Sequence, residues 1–362
     1  MKKLTSMILA LVFAVSLIGT ASAKTLKIQL TFPKTSYDGQ IVKMWPDRVT
    51  QLTRGELKFE LLSKGEVVGM KETLEAVDKG LVDGGAAWTH YWSNYHPAAM
   101  LFGSPVAGGG IGLSTKSWLA WYFDNGGKEL YDRLWNEMGM NVKGFVMASS
   151  GPEALGWFKE PIKNMDDFRK YRFRTPPGIP GQTYKDIGIA SVSLSGGDIL
   201  PALEKGTIDA AEWCCPKPDS VFGFQKVLKN YYLQGLHQNV VNGDIYINGD
   251  VYNSLTDHQK YAMEIASEAM ITRNITNRAV ENGKALIDLT ENHGVKLWDT
   301  PADYFTEYMN AAQATLKKNA ADNAFFKEVY EHMTAHAKIV VPFIAQMETS
   351  DASIGTAFAK QQ

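Results

Sequence analysis

Arg174 closes a short run, Tyr171-Arg172-Phe173-Arg174, in which rings alternate with guanidinium groups, and Thr175-Pro176-Pro177-Gly178 ends the run at once. Alternation with period two reads as a strand, and the prolines are a firm stop. An arginine at such a place stands on a rigid base. Its planar fork can meet a carboxylate through two parallel charge-assisted hydrogen bonds. Arg172 lies two residues away on the same face, so residue type does not separate the two. Taken alone, a strand arginine is more often a solvated surface group. Glu212 stands beside Trp213 at the end of a run of small residues. A carboxylate there needs a partner, because an unpaired buried charge is costly. In Trp88-Thr89-His90-Tyr91-Trp92 the Tyr91 hydroxyl can donate to a ligand oxygen, His90 is a further polar candidate, and the rings can wall a pocket.

Other chemistry is suggested less well. His332 and His336 stand four apart on a helical stretch, a zinc-capable spacing, but the sequence is Glu331-His332-Met333-Thr334-Ala335-His336 rather than H-E-x-x-H. An exposed helix face is the expectation there. Gly108-Gly109-Gly110-Ile111-Gly112 lacks the Gly-Lys-Ser/Thr ending of a phosphate loop and reads as a flexible segment near a hinge or cleft. No nucleophile–base set, catalytic metal motif or dinucleotide fingerprint is present, which argues against an enzyme.

The elements that must position these residues carry an internal echo. Leu74-Glu75-Ala76-Val77-Asp78-Lys79-Gly80 and the small residues after it recur, about 126 positions on, as Leu200-Pro201-Ala202-Leu203-Glu204-Lys205-Gly206. Each copy reads as a helix ended by Gly, with Lys at the negative end of the dipole, then a strand of small residues. Two copies predict two similar lobes whose strand ends face one cleft, the place where open α/β sheets bind ligands. Before the first copy, a strand at Lys27–Thr31, a helix from about Gln40 to Leu52 with Pro46 inside it, and a strand at Leu57–Leu62 form a β-α-β opening. A strand at Val142–Met147 precedes the second lobe, whose first helix has Asn164 as its N-cap. Thr256 with Gln259 is a capping box for a helix reaching about Asn292, with Tyr261, Ile265, Met270, Ile275, Val280 and Ile287 near helical spacing. Further helices are expected over about Ala302–Lys318 and Ala324–Met347, the latter broken or kinked at Pro342, with a mobile tail from Thr349.

The first 23 residues place the chain outside the cytoplasm. Lys2-Lys3, an apolar run from Met7 to Ile18 and Ala21-Ser22-Ala23 form a cleavable signal peptide, so the mature chain is expected to start at Lys24 in the periplasm. No later run is long and apolar enough to span a bilayer. Loss of Lys2 and Lys3 leaves 35 basic against 39 acidic residues, a balance that argues against a nucleic-acid partner. A chain of about 340 residues exceeds one compact core. The only cysteines, Cys214-Cys215, are adjacent. A vicinal disulfide would be strained, and two semi-buried residues beside the cleft are the plainer reading.

Glu160-Pro161-Ile162-Lys163, Asp166 to Arg174, Leu203 to Trp213, and Ile247-Asn248 followed by Tyr252-Asn253-Ser254-Leu255 together resemble the solute-binding proteins of TRAP transporters, DctP type. With Glu212-Trp213 and the long C-terminal helical region, the chain resembles the dimeric branch that binds 2-oxo and 2-hydroxy monocarboxylates such as pyruvate or lactate together with a metal ion. The resemblance implies an α/β, two-lobe periplasmic binding protein with mixed sheets, hinge strands, a long helix and a C-terminal helical extension. Residues 24–148 would form lobe I, with about 239–280 returning to it. Residues 149–238 and about 281–302 would form lobe II, and 303–362 an extension able to pair two copies into a homodimer. It implies Arg174 as the carboxylate clamp, Glu212 as a cation ligand, Trp213 as a residue that encloses ligand and helps hold the metal, and Gln238 as a cleft residue for both. An amide can donate to a ligand and coordinate through its oxygen. Glu153 departs from the branch, where Gln is expected. Two carboxylates around an anionic ligand repel, and Ca²⁺ or Na⁺ would relieve this. The partners so implied are a small organic acid and the membrane permease subunits. A binding protein for another carboxylate or small polar ligand, serving an ATP-driven importer for instance, and a secreted carboxylate enzyme are the alternatives.

Overall fold

The computed structural model describes residues 23–361. The export segment, apart from Ala23, lies outside the described residues. The β-α-β opening is present. β1 (Lys24–Leu30) buries Leu26, Ile28 and Leu30, α1 (Tyr37–Leu52) follows, and β2 (Leu57–Leu62) pairs with β1 in parallel. α1 starts earlier than its apolar spacing suggests because the Ser36 hydroxyl caps it, accepting from Gly39 N–H, and it continues through the buried Pro46.

The echo is real in three dimensions. α2 (Thr73–Asp78) leads to β3 (Gly84–Trp88). After β4 (Val142–Ser150), β5 (Gly156–Phe158), β6 (Arg172–Arg174) and β7 (Ala190–Val192), α3 (Gly196–Glu204) leads to β8 (Ala210–Ala211) in the same way. Gly80 and Gly206 end the two helices at φ of 70° and 66°, the left-handed region where a side chain would be strained. α4 (Pro216–Phe222), β9 (Asn230–Tyr232), β10 (Val241–Asn248), α5 (Asp257–Glu291), β11 (Lys296–Trp298), α6 (Ala302–Asp322) and α7 (Ala324–Ala359) complete the chain.

β3 and β8 fall in different sheets. The first has the order β2-β1-β3-β10-β4 and the second β11-β9-β5-β8-β6-β7. Both are mixed, since β10 runs antiparallel to β3 and β4, and β5 antiparallel to β8 and β9. The chain passes from one sheet to the other between β4 and β5, returns between β9 and β10, and crosses again along α5 to reach β11. This is the two-lobe α/β architecture with a C-terminal helical extension that the sequence led us to expect.

α5 starts at the Thr256–Gln259 capping box, but its buried face is not the predicted one. Tyr261, Ile275, Val280 and Ile287 are exposed, and only Met270 of those is fully buried. The core face is instead Ala262, Met263, Ala266, Ser267, Met270, Ile271, Asn274 and Arg278. Small side chains let the helix lie close against α1 and β4, so its larger aliphatic groups end up outside. α7 also differs from expectation. It runs unbroken past Pro342 to Ala359, and the tail from Thr349 is helical. His332 and His336 are not a free surface pair. Trp121 Nε1–H donates to His332 Nδ1 at 2.9 Å, and His336 is buried with Nε2 3.0 Å from the Ser117 carbonyl. Gly108-Gly109-Gly110 is a buried turn at φ of 59°, 70° and 65°, covered by Gln313 and Leu316 of α6, rather than an open flexible segment. Among the described residues no helix is long and apolar enough to cross a membrane.

Candidate functional site

Residues that follow β3 and residues that follow β8 line one pocket with a free volume of about 70 Å³. Trp88, His90 and Tyr91 come from the first sheet's side, and Arg174, Pro176, Pro177, Trp213 and Cys214 from the second. Ser150, Glu153, Gln238 and Val241 come from the first two crossings between sheets, and Asp38 and Arg278 from α1 and α5. Six sequence candidates therefore converge: Arg174, Trp213, Glu153, Gln238, Tyr91 and His90. Glu212 lies just behind the wall and is fully buried.

β6 separates the two arginines that the sequence left confusable. Arg172 is on the outside, where its guanidinium donates to both oxygens of Asp209 at 2.8 Å. Arg174 is 5% exposed. Its Nη1 donates to Glu212 Oε1 at 2.5 Å and to the Glu212 carbonyl at 3.0 Å, while Nε and Nη2 donate to the Leu194 carbonyl at 3.2 and 3.0 Å. The guanidinium also lies over the Trp213 ring, 5.1 Å from its centre. Of its five N–H groups one remains. A full two-pronged clamp on a ligand therefore requires Glu212 or Leu194 to release the fork.

Beside the Asp38 that pairs with Arg278, the site holds two further acids, Glu212 and Glu153, and their surroundings treat them oppositely. Burial pushes the Glu212 carboxyl up, but the Arg174 charge and His237 outweigh it and hold the group below its ordinary range. Burial, followed by the neighbouring Glu212, pushes Glu153 well above that range. Burial alone takes His90 down to about 4, so it is neutral at physiological pH.

Ligand atoms of Glu153, Glu212 and His237 lie within 4.8 Å of one another. Glu153 Oε2, Glu212 Oε2 and His237 Nε2 are buried without a well-formed hydrogen bond, the last two being 3.4 Å apart. Two carboxylate oxygens with unused lone pairs suit a hard cation. His237 suits a different task. Its Nδ1 lies 3.2 Å from the Tyr184 hydroxyl, and an ionised Glu212 can only accept. Nε2 faces Glu212 as the ring nitrogen that carries the proton, 3.4 Å from its oxygen. Gln238 gives its carbonyl to Glu153 N–H at 3.0 Å and its side-chain N–H to the Ser104 hydroxyl at 3.1 Å, leaving its side-chain oxygen available.

The sequence reading missed Asp38, Arg278 and His237. Arg278 Nη2 donates to Asp38 Oδ1 at 2.6 Å, and the guanidinium lies over Tyr37 and Trp88. Arg278 had a signal, because Ala266, Met270, Asn274 and Arg278 recur every fourth residue, placing two polar groups on a face of small apolar ones. Asp38 reads only as a first-turn acid. Asp219 supports the wall from behind, accepting from Trp157 Nε1, the Tyr231 hydroxyl and the N–H groups of Cys214 and Cys215.

A family described as bacterial extracellular solute-binding protein, family 7 (DctP) matches residues 30–323. A monocarboxylate 2-oxoacid-binding periplasmic protein of Nostoc sp. is 33% identical over 298 residues, which is 80% of this chain and 78% of that protein. A TRAP transporter solute-binding protein from Bordetella bronchiseptica, solved with copurified calcium and picolinate in a mixed-occupancy dimer, superimposes with a TM-score of 0.85. It is 25% identical and the match covers 94% of this chain and 99% of that one. A TRAP periplasmic solute-binding protein from Pseudoalteromonas atlantica, with bound sodium and pyruvate, gives a TM-score of 0.83 at 20% identity, covering 92% and 99%.

Proposed function

The chain belongs to the DctP family of TRAP-transporter solute-binding proteins, and from that premise we propose that it captures a small 2-oxo or 2-hydroxy monocarboxylate, together with a cation, and hands the acid to a membrane permease. The observation that carries this reading is the buried grouping of Arg174 and Glu153 on the wall of one small pocket with Glu212 just behind it. A guanidinium alone would suit any carboxylate. Two acids beside it would repel an anion unless a cation joined them. A 2-oxo or 2-hydroxy acid offers a carboxylate and an adjacent oxygen, a pair of donors well matched to that combination.

Glu153 and Glu212 would hold the cation, with the Gln238 side-chain oxygen and the Trp213 backbone as further oxygen donors. When bound, the cation supplies the positive charge that lets an anion sit beside two carboxylates. Once Glu212 has that second partner, it can release Arg174 Nη1 to the ligand carboxylate. Tyr91 donates its hydroxyl from the other wall, and Trp213 and Trp88 exclude water. Calcium fits the doubled negative charge better than sodium does. The related proteins from Bordetella and Pseudoalteromonas, which bind calcium with picolinate and sodium with pyruvate respectively, support the same pairing of acid and ion.

A solute-binding role, the one its family carries, leaves the acid chemically unchanged. Delivery to the permease takes place in the periplasm, consistent with an extracellular solute-binding family. A second copy would cover Ile339, Phe343, Met347, Ile354 and Phe358 of α7, each more than half exposed. Arg278 favours a second reading, in which the ligand carries another anionic or polar group. Its charge is already met by Asp38, so the monocarboxylate reading comes first.

Calorimetric titration of pyruvate into the mature protein tests the reading, before and after chelation and for Glu153→Gln and Glu212→Gln. Tight binding that needs calcium, weakened about tenfold or more in each variant, is expected. Calcium-independent binding that both variants retain would discard the cation.

A further inference from the structure

Cys214 and Cys215 are the chain's only cysteines, both buried, with sulfurs 2.7 Å apart. Cys214 lines the pocket, and Cys215 stands behind it as the residue that starts α4. The peptide unit that joins them is held at both ends. Its carbonyl, that of Cys214, accepts from Ala154 N–H at 2.8 Å. Its N–H, that of Cys215, donates to Asp219 Oδ1 at 3.2 Å. Ala154 directly follows Glu153, so the orientation of one peptide bond is relayed to the backbone that carries a cation ligand. The Arg278 Nη1 atom lies 3.6 and 3.7 Å from the two sulfurs.

Relaxed disulfides join Cα atoms about 4.4–6.8 Å apart, whereas neighbours across a trans peptide are about 3.8 Å apart. A bond between Cys214 and Cys215 would close a small ring around their own peptide and twist it. That would withdraw the Cys214 carbonyl from Ala154 and the Cys215 N–H from Asp219. Strained disulfides are readily reduced again, which suits a reversible mark rather than a structural staple.

We propose that Cys214–Cys215 is a redox modification site, converted by thiol–disulfide exchange into a vicinal disulfide that weakens capture of the acid and its cation. This rests on the function proposed above. In the exchange, one cysteine thiolate attacks a sulfur of a small-molecule disulfide and expels one thiolate. The second cysteine then displaces the other. Both cysteines are oxidised, the small disulfide is reduced to two thiols, and the cysteine protons pass to those leaving groups. Oxidants of this class persist outside the cytoplasm. Because the pair is buried in the arrangement that encloses the pocket, bound acid should slow the reaction.

The test treats the mature protein with glutathione disulfide or with dithiothreitol. Mass spectrometry reads the Cys214–Cys215 peptide, and calorimetry reads pyruvate binding in calcium. An intramolecular disulfide, affinity about tenfold lower and recovery on reduction are expected. Cys215→Ser should bind as the reduced parent does and ignore the oxidant. Disulfide formation with unchanged affinity, or glutathione adducts without an internal bond, would overturn the proposal. The mass spectrum needs no ligand, so a reduced protein that binds no acid would count against the proposed function while the thiol chemistry is still decided by mass.

Discussion

At the residue scale the site is a set of charges that restrain one another, and substitutions should be read that way. Arg174→Ala leaves the buried Glu212 with only His237 beside it, so it should cost about 3 kcal/mol of stability as well as binding. Arg174→Lys keeps the charge but loses the planar fork and the stack on Trp213. Calorimetry should find acid affinity about ten- to a hundredfold lower with the fold intact, and an unchanged affinity would remove Arg174 from the clamp. Asp244 makes a separate prediction away from the pocket's charges. Burial pushes its carboxyl up to about 7, although the Tyr131 and Thr89 hydroxyls donate to it at 2.7 and 2.9 Å. An unfolded aspartate titrates near about 3.9. Between about pH 4 and pH 7 the folded chain therefore holds a proton that the unfolded chain has lost. Stability should fall as pH rises through that window, by up to about 1.4 kcal/mol per pH unit from this group. Asp244→Asn keeps a carbonyl for both hydroxyls and removes the titration. Its urea-unfolding stability should vary less steeply with pH than the parent's, and an identical slope would place the effect elsewhere.

At the scale of elements, what could be read in advance depended on whether a local rule decided the outcome. Arg174 was legible because alternation and Pro176-Pro177 fix both a strand and its end. The echo was legible because Lys-Gly at a helix terminus has a backbone reason, and β3 and β8 indeed take equivalent places in two sheets. The Thr256 capping box likewise marked the start of α5. The inner face of α5 was misread because hydrophobic size pointed one way and close packing the other, and Arg278 was lost with it. His336 was misread because nothing near it in sequence announces Ser117 and Asn125, which reach it from more than two hundred residues away. The exposed apolar row on α7 carries the element-scale prediction. Its members recur at intervals of four and seven, one side of a helix. Rows of this kind mark interaction sites. Light scattering should find the mature protein dimeric, and Phe343→Glu with Ile354→Glu should shift it to monomer. A parent protein that is monomeric at micromolar concentration would leave the row without a second copy.

At the scale of the whole molecule, two sheets, three crossings and three long helices among the described residues serve to bring one pocket's walls together. α6 and α7 bind both sides. Tyr304 bonds Tyr184 beside the second sheet, while Gln313 holds the Gly110 carbonyl beside the first and α7 engages Trp121. The enclosing state is thus supported by packing as well as by ligand, and a ligand shifts it only through better binding to that state. Since a ligand that binds the folded chain alone must raise its melting temperature, the most direct measurement is thermal unfolding of the mature protein across small 2-oxo and 2-hydroxy acids. Each acid is run with calcium, with sodium and after chelation. The account predicts a rise with pyruvate-like or lactate-like acids that is largest in calcium and lost on chelation. No rise with any of these acids, or a rise indifferent to chelation, would contradict a site in which Arg174 and a cation between Glu153 and Glu212 capture the acid together.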